Sequence, residues 1–168
     1  KYISSPLFAI KQLTLRQQEK VFANTRLVLN CFNSNEHVSP ILMFTLVYLS
    51  EFQPDFYLGL KTKKYTNQEV VDTFEDFFKN FEGEDEFNQK LAIALGYLLY
   101  FYNNFLYNGE KSHLFEINDK FSKLAIESKL NIKSNKQFAS LFSGLDFKDN
   151  PLKLDYWFKK VDLMASVK

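Results

Sequence analysis

The run Leu91-Ala92-Ile93-Ala94-Leu95-Gly96-Tyr97-Leu98-Leu99-Tyr100-Phe101-Tyr102 carries no charge and is apolar or aromatic all the way round a helix. A helix of that kind is either buried on every side or lies in a membrane. Extended to Tyr107 across Asn103 and Asn104, its apolar length reaches only the lower edge of a membrane span. Two adjacent amides are costly in hydrocarbon. The run therefore predicts a central core helix, with the other elements wrapped around it and no membrane role. A chain of 168 residues can supply that wrapping, since domains near this size remove about 68–70% of their unfolded surface from water. Nineteen Phe and nine Tyr predict an aromatic-heavy interior.

Helix-start signals recur along the chain. Thr14 with Gln17 forms a capping box, and the helix it opens is expected to run through Phe32. On its wheel, Leu15, Phe22, Thr25, Val28, Leu29 and Phe32 share one broad face, with Arg16 roughly opposite. Ser39 caps a helix with Pro40 at its first position, and Pro54 restarts a short helix through Lys61. Thr66 with Glu69 is a second capping box, followed by Val70, Val71, Phe74, Phe77, Phe78 and Phe81 at helical spacing. The longest helix is predicted over about Glu86–Tyr107, ended by Asn108-Gly109. Further helices are expected from Ile117 to about Leu130, from Ser134 with Gln137 to Ser143-Gly144, and from Asn150-Pro151 onward. No convincing period-2 alternation, no hairpin dipeptide between two β-rich runs and no internal repeat stands out, and five glycines suit helices better than a sheet. The fold class is all-α: one compact domain of about seven or eight helices spanning 1–168. A seam between helical clusters is expected near the acidic turn at 82–86, and a second candidate at 109–116.

Composition and motifs exclude several functions. A net charge of +1 does not favour a dedicated nucleic-acid binder. The single cysteine, Cys31, cannot form an internal disulfide and reads as a buried, inert thiol on an apolar-flanked helix. With no signal-peptide pattern, a cytoplasmic location is expected. The chain starts at Lys1 without a Met, as an excised piece of a longer protein would. His37 and His113 lack further ligands at metal-binding spacing, so no metal site is predicted. Gly109-Glu110-Lys111-Ser112 echoes the end of a phosphate-binding loop, but Asn104 stands where its first glycine should be and Glu110 separates glycine from lysine. No Gly-x-Ser-x-Gly nucleophile occurs. Neither Arg16 nor Arg26 has a His within seven residues downstream, as one class of helical ribonucleases requires. No catalytic residue is predicted, and the chain is not expected to be an enzyme on its own.

Arg16 lies just inside a helix N-terminus, against the macrodipole, at a cost of about 0.3–1 kcal/mol. Solvent exposure or an ion pair accounts for it; so would an anionic partner. Leu13-Thr14-Leu15-Arg16-Gln17-Gln18-Glu19-Lys20-Val21-Phe22 resembles the segment "L-[ST]-L-R-x-x-E-x-x-F" that follows the nucleotide-binding core in KAP-type P-loop NTPases. The next stretch is similar too, with Tyr48-Leu49-Ser50-Glu51-Phe52, then Pro54-Asp55-Phe56-Tyr57, a Lys-rich turn and Thr66-Asn67-Gln68-Glu69. The resemblance covers roughly residues 5–80. It implies a helical accessory or lid domain packed on an upstream NTPase core of the same protein. That core would hold ATP and Mg, with Arg16 as a phosphate contact, because guanidinium donors match phosphate. Bacterial members of the family are associated with phage defence, which is the setting the resemblance implies.

The face bearing Arg16, Lys20, Ala23 and Leu27 suits a domain interface. The alternative reading is a free-standing module that binds another protein or nucleic acid, or itself, through lysines of the second half. Lys129, Lys133 and Lys136 are the candidates there. Nucleic acid is not favoured, and such lysine runs are commonly solvated faces.

Overall fold

A computed structural model describes residues 4–10, 12–36, 38–77, 85–108, 114–118, 121–128, 130 and 152–166. Seven helices lie among these residues: α1 Ser4–Ile10, α2 Leu15–Leu29, α3 Pro40–Phe52, α4 Pro54–Lys61, α5 Asn67–Asp76, α6 Asp85–Tyr107 and α7 Leu154–Ser166. One antiparallel hairpin joins them, β1 Phe115–Asn118 with β2 Phe121–Leu124. The body of the fold is all-α, as the sequence predicts. The hairpin corrects the helix expected from Ile117 to about Leu130: Phe115 pairs with Leu124 and Asn118 with Phe121. The helices expected around Ser134–Gly144 and directly at Asn150-Pro151 fall outside the described residues, and α7 is described from Leu154.

The contacts divide the chain into two compact units, Lys1–Lys64 with Pro151–Lys168, and Tyr65–Asn150. The seam expected at 82–86 lies within the second of these, at residues of which only Asp85 and Glu86 are described. In the first unit α3 is the hub, in contact with α2, α4 and α7. It begins at Ser39, whose Oγ accepts from the Leu42 N–H at 3.3 Å, with Pro40 next. Leu42, Met43, Leu46, Val47 and Leu49 are fully buried. Two helices here stop without glycine. Gln12 (φ 46°) and Lys63 (φ 56°) take the left-handed conformation after α1 and α4. At each, paired backbone bonds close the end: Leu13 N–H to Phe8 O with Gln12 N–H to Ala9 O, and Lys64 N–H to Gly59 O with Lys63 N–H to Leu60 O. In α4–α7 the Tyr57 hydroxyl donates to Asp162 Oδ1 at 3.0 Å, and Lys61 Nζ reaches Asp162 Oδ2 at 2.6 Å. Trp157 of α7 is fully buried against Phe32, ring centroids 5.3 Å apart.

The second unit packs α5 on α6. The apolar helix expected at the centre of the fold lies in this unit as α6, with Leu91, Ala94, Leu95, Leu98, Leu99, Phe101 and Tyr102 buried, but among the described residues it packs chiefly on α5 and is not the hub of the other helices. It is not enclosed on all sides, because Ala92, Ile93 and Tyr97 are half-buried. Asn108, at φ 50°, follows its last turn, in keeping with the expected Asn stop. Among the described residues no helix is long and apolar enough to cross a membrane. Asn103, costly in lipid, is instead buried in protein and accepts from Asn67 Nδ2 at 2.8 Å. The Tyr102 hydroxyl accepts from the Tyr65 N–H and donates to the Tyr65 carbonyl at 2.7 Å, fixing the approach to α5. Burial pushes this phenol up to about 12, despite the bond to the Tyr65 backbone that works the other way. Glu75 is buried on α5 and accepts from the Ser128 hydroxyl and, at 3.1 Å, from the Leu130 N–H. Gln68 pairs both ways with the Glu127 backbone, at 2.9 and 3.0 Å.

Candidate functional site: the exposed side of helix α2

The capping box predicted for α2 is present. Thr14 Oγ1 accepts from the Gln17 N–H at 3.3 Å, and Gln17 Oε1 accepts from the Thr14 N–H at 2.9 Å. Gln18 adds a bond to the Leu13 carbonyl at 2.8 Å. The helix stops at Leu29 rather than Phe32, its end tightened by bonds from the Asn30 N–H to Arg26 O at 3.1 Å and from the Cys31 N–H to Val28 O at 2.9 Å. Cys31 therefore lies beyond the helix and is exposed, which corrects the buried thiol expected from its flanking residues. Its carbonyl accepts from Lys160 Nζ at 2.6 Å, and that ammonium lies 4.9 Å from the Tyr156 ring centroid.

The buried side of α2 also differs from the expected one. Val21, Asn24, Thr25 and Val28 face inward, while Leu15 is 70% and Phe22 48% exposed. Glu51 of α3 explains the rotation. Its carboxylate, on a side chain only 12% exposed, takes Lys20 Nζ at 2.6 Å through one oxygen and Asn24 Nδ2 at 3.0 Å through the other. These two anchors turn the Lys20–Asn24 side of α2 toward α3. Phe22 is left at the margin, its ring 5.4 Å from Phe8 and 5.6 Å from Phe44.

Two stripes remain open to solvent, offset by roughly a quarter-turn of the wheel at about 100° per residue. One carries Arg16, Lys20, Ala23 and Leu27, the residues singled out from the sequence. Arg16 and Ala23 are exposed and Leu27 is 58% exposed. Arg16 makes no ion pair among the described residues, whereas Lys20 is committed to Glu51. The other stripe carries Leu15, Glu19, Phe22 and Arg26, all exposed. Its apolar members were placed on the wrong side by the wheel, and the signal that could have found it is Lys20 and Asn24 spaced to reach one acceptor.

Lys129, Lys133 and Lys136 lie outside the described residues, as do His37, His113 and the Gly109–Ser112 run. Among the described residues no group of His, Cys, Asp and Glu side chains could hold a metal ion. No family model, curated protein or solved structure matches the chain.

Proposed function

We propose that this chain is a helical accessory domain of a larger protein, and that it meets the rest of that protein through the Arg16, Lys20, Ala23 and Leu27 stripe of α2. The observation that carries the reading is Leu27, an exposed leucine on the same side as an unpaired arginine and a small alanine. Ala23 and Leu27, one turn apart, with Arg16 two turns further along the same side, suit a contact that is apolar at one end and charged at the other. Lys20 fits this picture as a positioning residue: its bond to Glu51 holds α2 at one rotation on α3, and so fixes the stripe's direction.

The partner implied by the family resemblance is an upstream P-loop ATPase core that binds ATP and Mg. In that setting Arg16 supplies a fixed positive charge with several N–H donors toward the nucleotide phosphates. Its place at an exposed helix start leaves it free of tertiary duties, so its removal should not disturb the fold. The test is ATP turnover by a longer polypeptide that contains this chain. Arg16→Ala is expected to lower turnover while leaving the thermal midpoint unchanged. Turnover equal to that of the parent would remove the phosphate role, and absence of any nucleotide binding would remove the ATPase core as the partner.

A further inference from the structure

We infer that the second stripe of α2, Leu15, Glu19, Phe22 and Arg26, is a self-complementary surface through which two copies of this chain pair with their α2 helices antiparallel. This stripe lies roughly a quarter-turn from the one assigned to the rest of the protein, the two sharing only Ala23 at their common margin, and the inference does not rest on that assignment.

The spacing is that of a helix-pairing seam. Steps of four, three and four residues keep Leu15, Glu19, Phe22 and Arg26 on one line of the helix surface. All four are exposed, and two are large apolar side chains, Leu15 at 70% and Phe22 at 48%. The second copy is identified by charge. Glu19 and Arg26 lie at equal distances on either side of the Phe22–Ala23 junction. A two-fold axis through that junction, at right angles to the helix, sets Glu19 of each copy opposite Arg26 of the other, twice over. Neither side chain makes an ion pair or a hydrogen bond within the chain among the described residues. The same axis brings the two Phe22 rings together beside the two Ala23 methyl groups, where small side chains let helices approach to about 8–10 Å. A parallel pairing in register would set Glu19 against Glu19 and Arg26 against Arg26, so the charges also select the direction. Phe22 is held from behind by Phe8 and Phe44, at 5.4 and 5.6 Å between centroids, so the ring is ordered before a partner arrives.

One helix pair about 22 Å long buries less than the roughly 1,200 Å² of a standard interface, so the dimer is weak and concentration-dependent. Sedimentation equilibrium of this chain at low salt, from roughly 10 µM to roughly 1 mM, reads it directly. The wild-type mass is expected to climb from one chain toward two. Arg26→Glu and Glu19→Arg each place like charges opposite one another at both sites and are expected to weaken association roughly tenfold. Mixed in equal amounts, the two variants are expected to recover wild-type association as a heterodimer, because each then supplies the charge the other lacks. The wild-type chain remaining single across the range would overturn the inference. So would single variants that associate as tightly as wild type, or a mixture that does no better than either variant alone.

Discussion

The two units of this chain are held by different chemistry. The first is closed by aromatic rings and by a charged cluster that water reaches: Trp157 stacks near Phe32, while Lys61 and Asp162 keep 31% and 43% of their side chains exposed. The second joins its helices to the segments around them with buried and half-buried polar bonds: Asn103 to Asn67 and Glu75 to Leu130 are buried, Tyr102 to the Tyr65 backbone and Glu75 to Ser128 half-buried. The difference bears on where each unit is fragile. Apolar closure fails by leaving a cavity. Buried polar closure fails by leaving a donor or acceptor without water or partner. Exposed charged bonds fail almost without cost.

Cavity formation is the largest expected effect. Trp157→Ala removes a fully buried indole whose N–H donates to the Leu152 carbonyl at 3.2 Å, and should cost about 3–5 kcal/mol in urea unfolding. A loss under about 1 kcal/mol would mean the first unit is not organised around that ring. In the second unit the corresponding polar test is Glu75→Ala, which strands the buried Leu130 N–H. A loss of about 1–3 kcal/mol is expected. Asp162→Asn, at the exposed cluster of the first unit, should cost under about 1 kcal/mol. Equal losses from these two would erase the contrast between the units.

Alkaline pH probes the buried phenols in both. The Tyr102 phenol is pushed up to about 12, and burial raises Tyr48 and Tyr57 as well, with Asp162 adding to the effect on Tyr57. These groups ionise first in the unfolded chain, near pH 10. Stability is therefore intact below about pH 10 and is lost progressively as pH rises toward 12. Thermal midpoints at pH 8 and pH 11 should differ, and Tyr102→Phe should narrow that difference. A gap of the same size in the variant would remove Tyr102 from the account. The smallest effect expected is a gain. Lys63 adopts φ 56° at the end of α4, a conformation that strains any residue with a Cβ. Lys63→Gly should stabilise by about 1 kcal/mol in the same unfolding assay. A loss would show that contacts of the lysine outweigh the backbone strain.

Short-range signals were legible in the sequence. The boxes at Thr14–Gln17 and Thr66–Glu69 and the Ser39-Pro40 start depend only on residues three apart, and each is present. What the sequence concealed depends on distant partners. Ile117, Phe121 and Leu124 stand at helical spacing, yet the chain pairs them across a hairpin whose strands are only four residues each, too short for alternation to show. Asp119-Lys120, the two residues between those runs in sequence, is not one of the glycine-bearing dipeptides that mark a hairpin. The facing of α2 was likewise set from outside, by Glu51 on α3. Arg16 and Leu27 were legible as an outward pair because the wheel sets both well away from Thr25 and Val28, which are buried.

Docking of the longer protein on that outward pair would cover Leu27, and thiol labelling at its position reports the cover. Leu27→Cys in a Cys31→Ser background places one probe at the C-terminal, apolar end of the Arg16 stripe. Labelling is expected to be rapid in this chain alone and strongly slowed in the longer polypeptide, where the stripe is covered. Equal labelling rates in the two would show that the face stays open to solvent and would contradict the proposed docking.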